Sequence, residues 1–365
     1  HMPFVLEKGP LLRVRLFEVK KDAFVLAFNH HHIISDGWSV DLILSELSEF
    51  YSAFIEKRPP RLDALPIQYI DFSAWQRAEF NKPVYQDKLE FWKNYLAGYE
   101  DLPLTIDKPR PTHFSYKGAN INLSLSEEVS TKLTQLAKDH GTTLYMVLLM
   151  AFNILMSRYS GQEDVIIGSP IANRYHYDIE KLVGLFVNTL VLRNQVDSNK
   201  SVKELLSDVS SNALNAFEHQ EVPFEQIVEV LDVPRDTSRN PIIQVMFSLQ
   251  SFGADKIGNV ALNLPGIVVK PFSEGRFDVA KFDLSLFLEE SPNGIAGSFN
   301  YCTDLFHQDS IERMARNFER LLASIVEDTT KKVKDLRLLT DERRQQILVD
   351  WNDTAAPYPK DKTIN

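Results

Sequence analysis

The chain of 365 residues carries 40 basic and 50 acidic side chains, a formal charge of −10, and no dense Lys/Arg run offsets that balance. It is therefore a poor candidate for holding nucleic acid through phosphate contacts. A hydrophobic content of 44% with 25% charged residues is that of a globular protein, and the length favours two domains or lobes over a single core. Cys302 is the only cysteine, which rules out an intramolecular disulfide and a cysteine-based zinc site and fits a reducing, cytoplasmic setting.

The chain opens on His1-Met2, read as a cloning remnant with no signal peptide behind it. Residues 11–19 alternate as a strand, and residues 23–34 read as a second, with Lys20-Lys21-Asp22 as the turn between them. A helix is predicted over 39–56, where Val40, Ile43, Leu44, Leu47, Phe50, Tyr51 and Phe54 fall on one apolar face. Residues 66–80 are mixed in character, with Tyr69, Phe72 and Trp75 as aromatic anchors. Residues 84–99 read as a helix carrying Leu89, Trp92 and Leu96. The segment 102–111, punctuated by Pro103, Pro109 and Pro111, reads as a linker between two lobes.

The second lobe opens on a strand at 120–125, followed by helices at 126–140 and 143–157, with Ser126 as N-cap of the first. The longest apolar stretch, 144–156, is interrupted by Asn153 and falls short of the about 20 residues that span a bilayer, so a buried helix and no membrane contact are expected. Strands are predicted at 165–169, 190–195 and 242–250, a helix at 202–218, a pair of strands at 282–289 and 295–301, and a long amphipathic helix at 308–327. From residue 348 apolar periodicity stops, and an extended exit segment is expected. The order gives an α+β, or mixed α/β, class.

His31-His32-Ile33-Ile34-Ser35-Asp36-Gly37 is the segment that carries chemistry. On a strand Phe24, Leu26, Phe28, His30 and His32 would share one face and His31 the other, so one of the two adjacent histidines meets a given substrate. Asp36-Gly37 then turns the chain into a helix, which sets an imidazole beside a helix N-terminus. A histidine there can take a proton from an attacking amine, and backbone amides near Gly37 can face a developing oxyanion. The plain alternative is a turn with Ser35 or Asp36 capping the helix. A third reading, metal binding by His30, His32 and Asp36, lacks further clustered ligands. Neither a Gly-x-Ser-x-Gly nucleophile nor a Gly-x-x-x-x-Gly-Lys phosphate loop occurs, so transfer is expected to be direct, with no covalent enzyme intermediate.

The His31–Gly37 segment resembles the His-His-x-x-x-Asp-Gly motif of condensation domains in nonribosomal peptide synthetases. Tyr69-Ile70-Asp71-Phe72-Ser73-Ala74-Trp75-Gln76, Val183-Gly184-Leu185-Phe186-Val187-Asn188-Thr189-Leu190, His219-Gln220-Glu221-Val222-Pro223-Phe224-Glu225 and Arg235-Asp236-Thr237-Ser238-Arg239-Asn240-Pro241 look like further motifs of that family, in its order. The resemblance implies two chloramphenicol acetyltransferase-like lobes in a V. It also implies amide formation when the amine of a downstream carrier-bound aminoacyl group attacks an upstream carrier-bound thioester. It implies no metal and no directly bound cofactor, the substrates riding on 4'-phosphopantetheine arms. Partners are then upstream and downstream peptidyl carrier proteins and an adenylation domain. His32 becomes the catalytic histidine, acting as general base or as a positioning group. His31, Asp36 and Gly37 support the loop, and Arg239 is the candidate ion-pair partner of Asp36.

The family also carries a segment ahead of the one resembling residues 3–12, so the first lobe is expected to be truncated, with apolar surface exposed and self-association as a consequence. The expected division is a partial first lobe at 3–111, a second lobe at 112–347 and a linker toward an adenylation domain at 348–365. Alternatives are an impaired scaffold that only docks carrier or adenylation domains, and a stand-alone acyltransferase using CoA thioesters.

Overall fold

A computed structural model of the chain describes residues 3–250, 262–270, 272, 279–291 and 294–355. The expected remnant at 1–2 and the end of the exit segment, 356–365, lie outside them. The elements in chain order are β1 (Leu12–Lys20), β2 (Ala23–His30), α1 (Gly37–Glu56), α2 (Tyr69–Glu79), α3 (Pro83–Tyr95), β3 (Gly118–Ser124), α4 (Glu127–Asp139), α5 (Leu144–Ser160), β4 (Asp164–Ile171), α6 (Tyr177–Glu180), β5 (Asn188–Gln195), α7 (Val202–Glu218), α8 (Phe224–Val230), β6 (Val245–Gln250), β7 (Leu284–Ser291), β8 (Gly294–Cys302), α9 (Gln308–Glu327) and α10 (Asp341–Leu348).

Two sheets of unequal size result. The larger has six strands in the order β3-β8-β7-β6-β4-β5. Its β6 runs parallel to both β4 and β7, and its other pairs are antiparallel, including β7 with β8 in the register Leu284 opposite Tyr301. The mixed α/β class expected from the element order is the one observed. The core of this lobe is the α5 helix, buried on all sides from Met146 to Met156. A helix that is apolar all round belongs inside a core. Its one interior polar residue, Asn153, donates to the Leu149 carbonyl at 2.8 Å and accepts from Asn194 at 3.4 Å, so its burial leaves the amide partnered. Thr143 caps the helix N-terminus through the Met146 amide, and Gly161, in the left-handed region at φ 73°, ends it.

The smaller sheet is the β1–β2 hairpin, paired from Leu12–His30 to Lys20–Ala23. Little covers it. Leu16 is 65% and Val19 66% exposed, Phe17 and Phe24 are also exposed, and so is Phe54 on the outer face of α1. Apolar side chains thus face outward on both surfaces of the ribbon.

The proline-punctuated segment 102–111 is stitched down rather than free. Leu102 is buried, Asp107 accepts from the His307 amide at 2.8 Å and Ser310 Oγ at 3.0 Å, and Arg110 pairs with buried Asp283. The α3 helix, counted with the first lobe in sequence, packs into the larger core through Tyr85, Trp92 and Leu96. Trp92 is fully buried and its Nε1 donates to the His219 carbonyl at 3.0 Å. Among the described residues no single helix is long and apolar enough to cross a membrane.

Two local expectations change. The strand predicted to reach residue 34 stops at His30, because the chain must turn into α1, and His32–Ile34 form a 3-10 turn instead. The exit segment does not leave directly either: Asp350–Asn352 form another 3-10 turn, and Arg343 lies over the Trp351 ring at 4.8 Å.

Truncating Trp92 to Ala should lower unfolding free energy by about 3–5 kcal/mol, the range for deleting a large buried aromatic. Urea unfolding would check this, and a loss below 1 kcal/mol would show that α3 is peripheral to the core.

Candidate active site

Asp36 is the N-cap of α1, and its side chain accepts from the Ser39 amide at 2.8 Å. An ordinary capping aspartate would otherwise face water. This one is 4% exposed and accepts more. Ser39 Oγ lies 2.8 Å from Oδ1, and the amides of Phe186 and Val187 donate to Oδ2 at 2.9 and 3.2 Å. Arg174 approaches with Nη2 at 3.2 Å from Oδ1, both side chains being almost wholly buried.

Arg174 is itself held from several sides. Its Nη1 donates to the carbonyls of Ile179 at 2.6 Å and Leu182 at 2.8 Å, and its Nη2 donates to Ser39 Oγ at 2.9 Å. Its guanidinium stacks over Phe186 at 4.1 Å from the ring centre. The planar fork that guanidinium presents suits this convergent set, which an ammonium could not reproduce. Asn173, in the left-handed region at φ 54°, turns the chain after β4 so that the next residue leaves the strand line.

Ser39 completes the knot. Its Oγ accepts from Arg174 and from the Gly184 amide at 3.0 Å, which fills both lone pairs. Its single proton has the Asp36 carboxylate and the Gly184 carbonyl, at 2.9 Å, as acceptors. Trp38 Nε1 adds a bond to the Glu180 carbonyl at 2.9 Å.

The strap 184–187 is fixed from its other side by α2. Tyr69 donates to the Leu185 carbonyl at 2.8 Å, and its ring covers Gly184 so closely that a Cβ there would come within 2.1 Å of it. Glycine is required at that approach. Phe186 packs against Tyr69 and Phe72, and with Ile179 and Leu182 they form a second, small core between α2 and the segment 179–186.

Burial alone would raise the Asp36 carboxyl, but the amides of Ser39 and Phe186, the Ser39 hydroxyl and the Arg174 charge outweigh it, and its pKa is lowered. Burial lowers that of Arg174, with the Asp36 charge acting against the shift.

On this base sit the histidines. His31 is turned inward: its Nδ1 accepts from the Ile33 amide at 3.1 Å, and its ring meets Phe4 edge-on. His32 begins the 3-10 turn and is exposed, and among the described residues no hydrogen bond to its ring is found. Gly37, also exposed, is the first residue of α1. The strand alternation expected to separate the two histidines is absent, since β2 ends at His30; instead His31 caps a 3-10 turn and is half-buried, and His32 within that turn is exposed.

The ion-pair partner named from sequence was wrong. Arg239 pairs with Asp101 at 3.0 Å and with Asp236 at 3.0 Å, while the partner of Asp36 is Arg174. Arg239 lay inside a recognisable motif, whereas Arg174 follows β4 with no local signal of its role. His30, His32 and Asp36 do not form a metal site: among the described residues no group of three or more His, Cys, Asp or Glu side chains is placed to hold an ion. Phe72 is buried in a small core, as expected, whereas Trp75, its ring 5.9 Å away, is 38% exposed and is not the core anchor expected of it.

A family model described as Condensation domain matches residues 1–348. The chain belongs to the condensation-domain family. Condensation domains of nonribosomal peptide synthetases form amide bonds, an acyltransferase activity. Gramicidin S synthase 2 of Brevibacillus brevis is 41% identical over 364 residues, which are 99% of this chain and 8% of that protein. The condensation-domain chain thus spans less than a tenth of that relative's length. Its fold matches the X-domain from teicoplanin biosynthesis with a TM-score of 0.85 at 27% identity, over 93% of this chain and 77% of that one. It also matches a four-domain nonribosomal peptide synthetase bound to AMP and glycine, with a TM-score of 0.80 at 26% identity, over 94% of this chain and 26% of the larger.

The lowered pKa of Asp36 fixes a sign. Its stabilisation is fully present above the unfolded carboxyl value of about 3.9 and is lost as pH falls through the lower folded value. Thermal melts between pH 7 and 3 should therefore decline more steeply for the wild type than for Asp36→Asn. Parallel declines would exclude Asp36 as a source of acid sensitivity.

Proposed function

We propose that this chain joins two carrier-bound acyl groups at His32. The amine of a downstream aminoacyl thioester attacks the carbonyl carbon of an upstream thioester. A C–N bond forms, the oxyanion collapses, the C–S bond breaks, and the proton lost by nitrogen ends on the departing thiol. The observation that supports this best is the contrast within one loop: Asp36 is fastened by buried bonds on every side, while His32 is presented to solvent with its ring free among the described residues. That is the arrangement of a group kept in place to meet a substrate.

His32 receives or orients the amine proton. An α-amine has a reference pKa of about 7.7–8.0, so part of it is already neutral near pH 7 and positioning carries much of the effect. The backbone amide of Gly37, exposed at the start of α1, is the group we assign to the developing oxyanion. Attack is direct, since Cys302, the one thiol, is 1% exposed in the core.

The partners of this reaction are the two peptidyl carriers, their 4'-phosphopantetheine arms and a following adenylation domain. The same reading divides the chain into a smaller lobe at 3–111, a larger one at 112–347 and a linker from 348, with α3 lent to the larger core.

One observation favours a second reading. The apolar β1–β2 ribbon is open on both faces, which suits a chain that docks its partners, or itself, without turnover.

A single-turnover assay with both neighbouring carriers loaded separates the two. The dipeptidyl thioester should form with this chain and fall by about 10²–10⁴-fold in His32→Ala, the usual loss on removing a positioned acid–base group. No product from the folded wild type, with carrier binding retained, would establish the docking reading.

A further inference from the structure

Asn188 begins β5, directly after the strap whose amides hold Asp36, and it is 8% exposed. Its side chain does not join the strand ladder. Nδ2 donates to the carbonyls of Gln220 at 3.0 Å and Val222 at 2.8 Å, and Oδ1 accepts from the amides of Phe224 at 3.0 Å and Thr189 at 2.8 Å. The two protons and two lone pairs of a carboxamide are all used. Two carbonyls on one side and two amides on the other also fix which way the group points.

The turn it grips, 219–224, joins α7 to α8 and is anchored elsewhere too. Trp92 of α3 donates to the His219 carbonyl, Phe91 stacks on the His219 ring at 3.6 Å, and Lys88 of α3 pairs with Glu221. A continuous chain of bonds therefore runs from α3, through the turn and Asn188, to the strap 186–187, and on to Asp36 and the histidine loop. No other polar side chain joins the turn to that strap among the described residues.

We propose that Asn188 is a positioning residue for the condensation reaction: by fastening the turn 219–224 to the strap 184–187 it sets the seat on which Asp36 holds His32. The inference rests on the function proposed above, and it adds that the position of α3 and its turn is felt at the histidine through one carboxamide.

The test is Asn188→Asp against Asn188→Ser. Aspartate has nearly the same shape, but a carboxylate oxygen would face two carbonyl oxygens, which disfavours the charged form and raises its pKa. In the single-turnover assay Asn188→Asp should lose about tenfold or more in rate near pH 8 with substrate affinity little changed. Its rate relative to wild type should climb as pH falls from 8 to 6, because the protonated carboxyl regains a donor. Asn188→Ser, a smaller and non-titrating residue, should be slowed at every pH by a constant ratio. Amide exchange at Phe186 and Val187 should speed up in both variants, with α5 amides still protected as the folding control.

Wild-type rates in both variants, or strap amides as protected as in the wild type, would overturn the proposal. If the wild type itself forms no product, the reaction assignment fails, while the exchange at Phe186 and Val187 still decides whether Asn188 holds the strap. If Asn188→Asp does not fold at pH 8, its failure with Asn188→Ser folded and its strap unchanged would count against positioning.

Discussion

The Asp36–Arg174 pair is the constraint on which the site depends. Its members stand 138 residues apart, one capping α1 and the other following β4. A buried ion pair gains little by itself, since removing two charges from water offsets most of their attraction. What makes this one effective is the number of further bonds around it: backbone amides and a hydroxyl on Asp36, and backbone carbonyls and an aromatic face on Arg174, whose Nε alone is buried without a partner among the described residues. Removing either partner would strand the other charge, at a cost of about 3–5 kcal/mol. The pair therefore specifies one arrangement of the histidine loop more than it adds to stability.

That division of labour explains why the loop can carry an exposed imidazole. The 3-10 turn, the Asp36 cap and the first turn of α1 are fixed from below, so His32 pays no part in holding the fold. The small apolar core of Phe72, Ile179, Leu182 and Phe186 then excludes water from the ion pair and strengthens it. Among the described residues none of the open β1–β2 ribbon belongs to this core.

The parts of this picture written in local sequence were legible. The long helix α9 and the helix α7 fall where their periodicity places them, Ser126 acts as the cap expected, and β7 pairs with β8. So was the histidine motif, because its residues are contiguous. What could not be read was tertiary. Nothing near Arg174 marks it as the partner of a residue 138 positions away, and the motif around Arg239 drew the assignment there. The α2 helix was obscured because its aromatic residues serve two neighbours, and β2 ended early because the Asp36 cap, not strand propensity, decides where the chain turns. Val183–Leu190 was visible as a block, but its backbone amides, the part that matters, leave no trace in side-chain pattern.

The most direct test of the account is residue-resolved amide exchange at Phe186 and Val187 in the wild type, Asp36→Ala and Arg174→Ala. If the carboxylate holds the strap, both amides exchange slowly in the wild type. Both lose that protection in Asp36→Ala, and they lose much of it in Arg174→Ala, while amides of α5 remain protected. Unchanged protection of Phe186 and Val187 in a folded Asp36→Ala variant would contradict it, and the histidine loop would have to be held by something other than this ion pair.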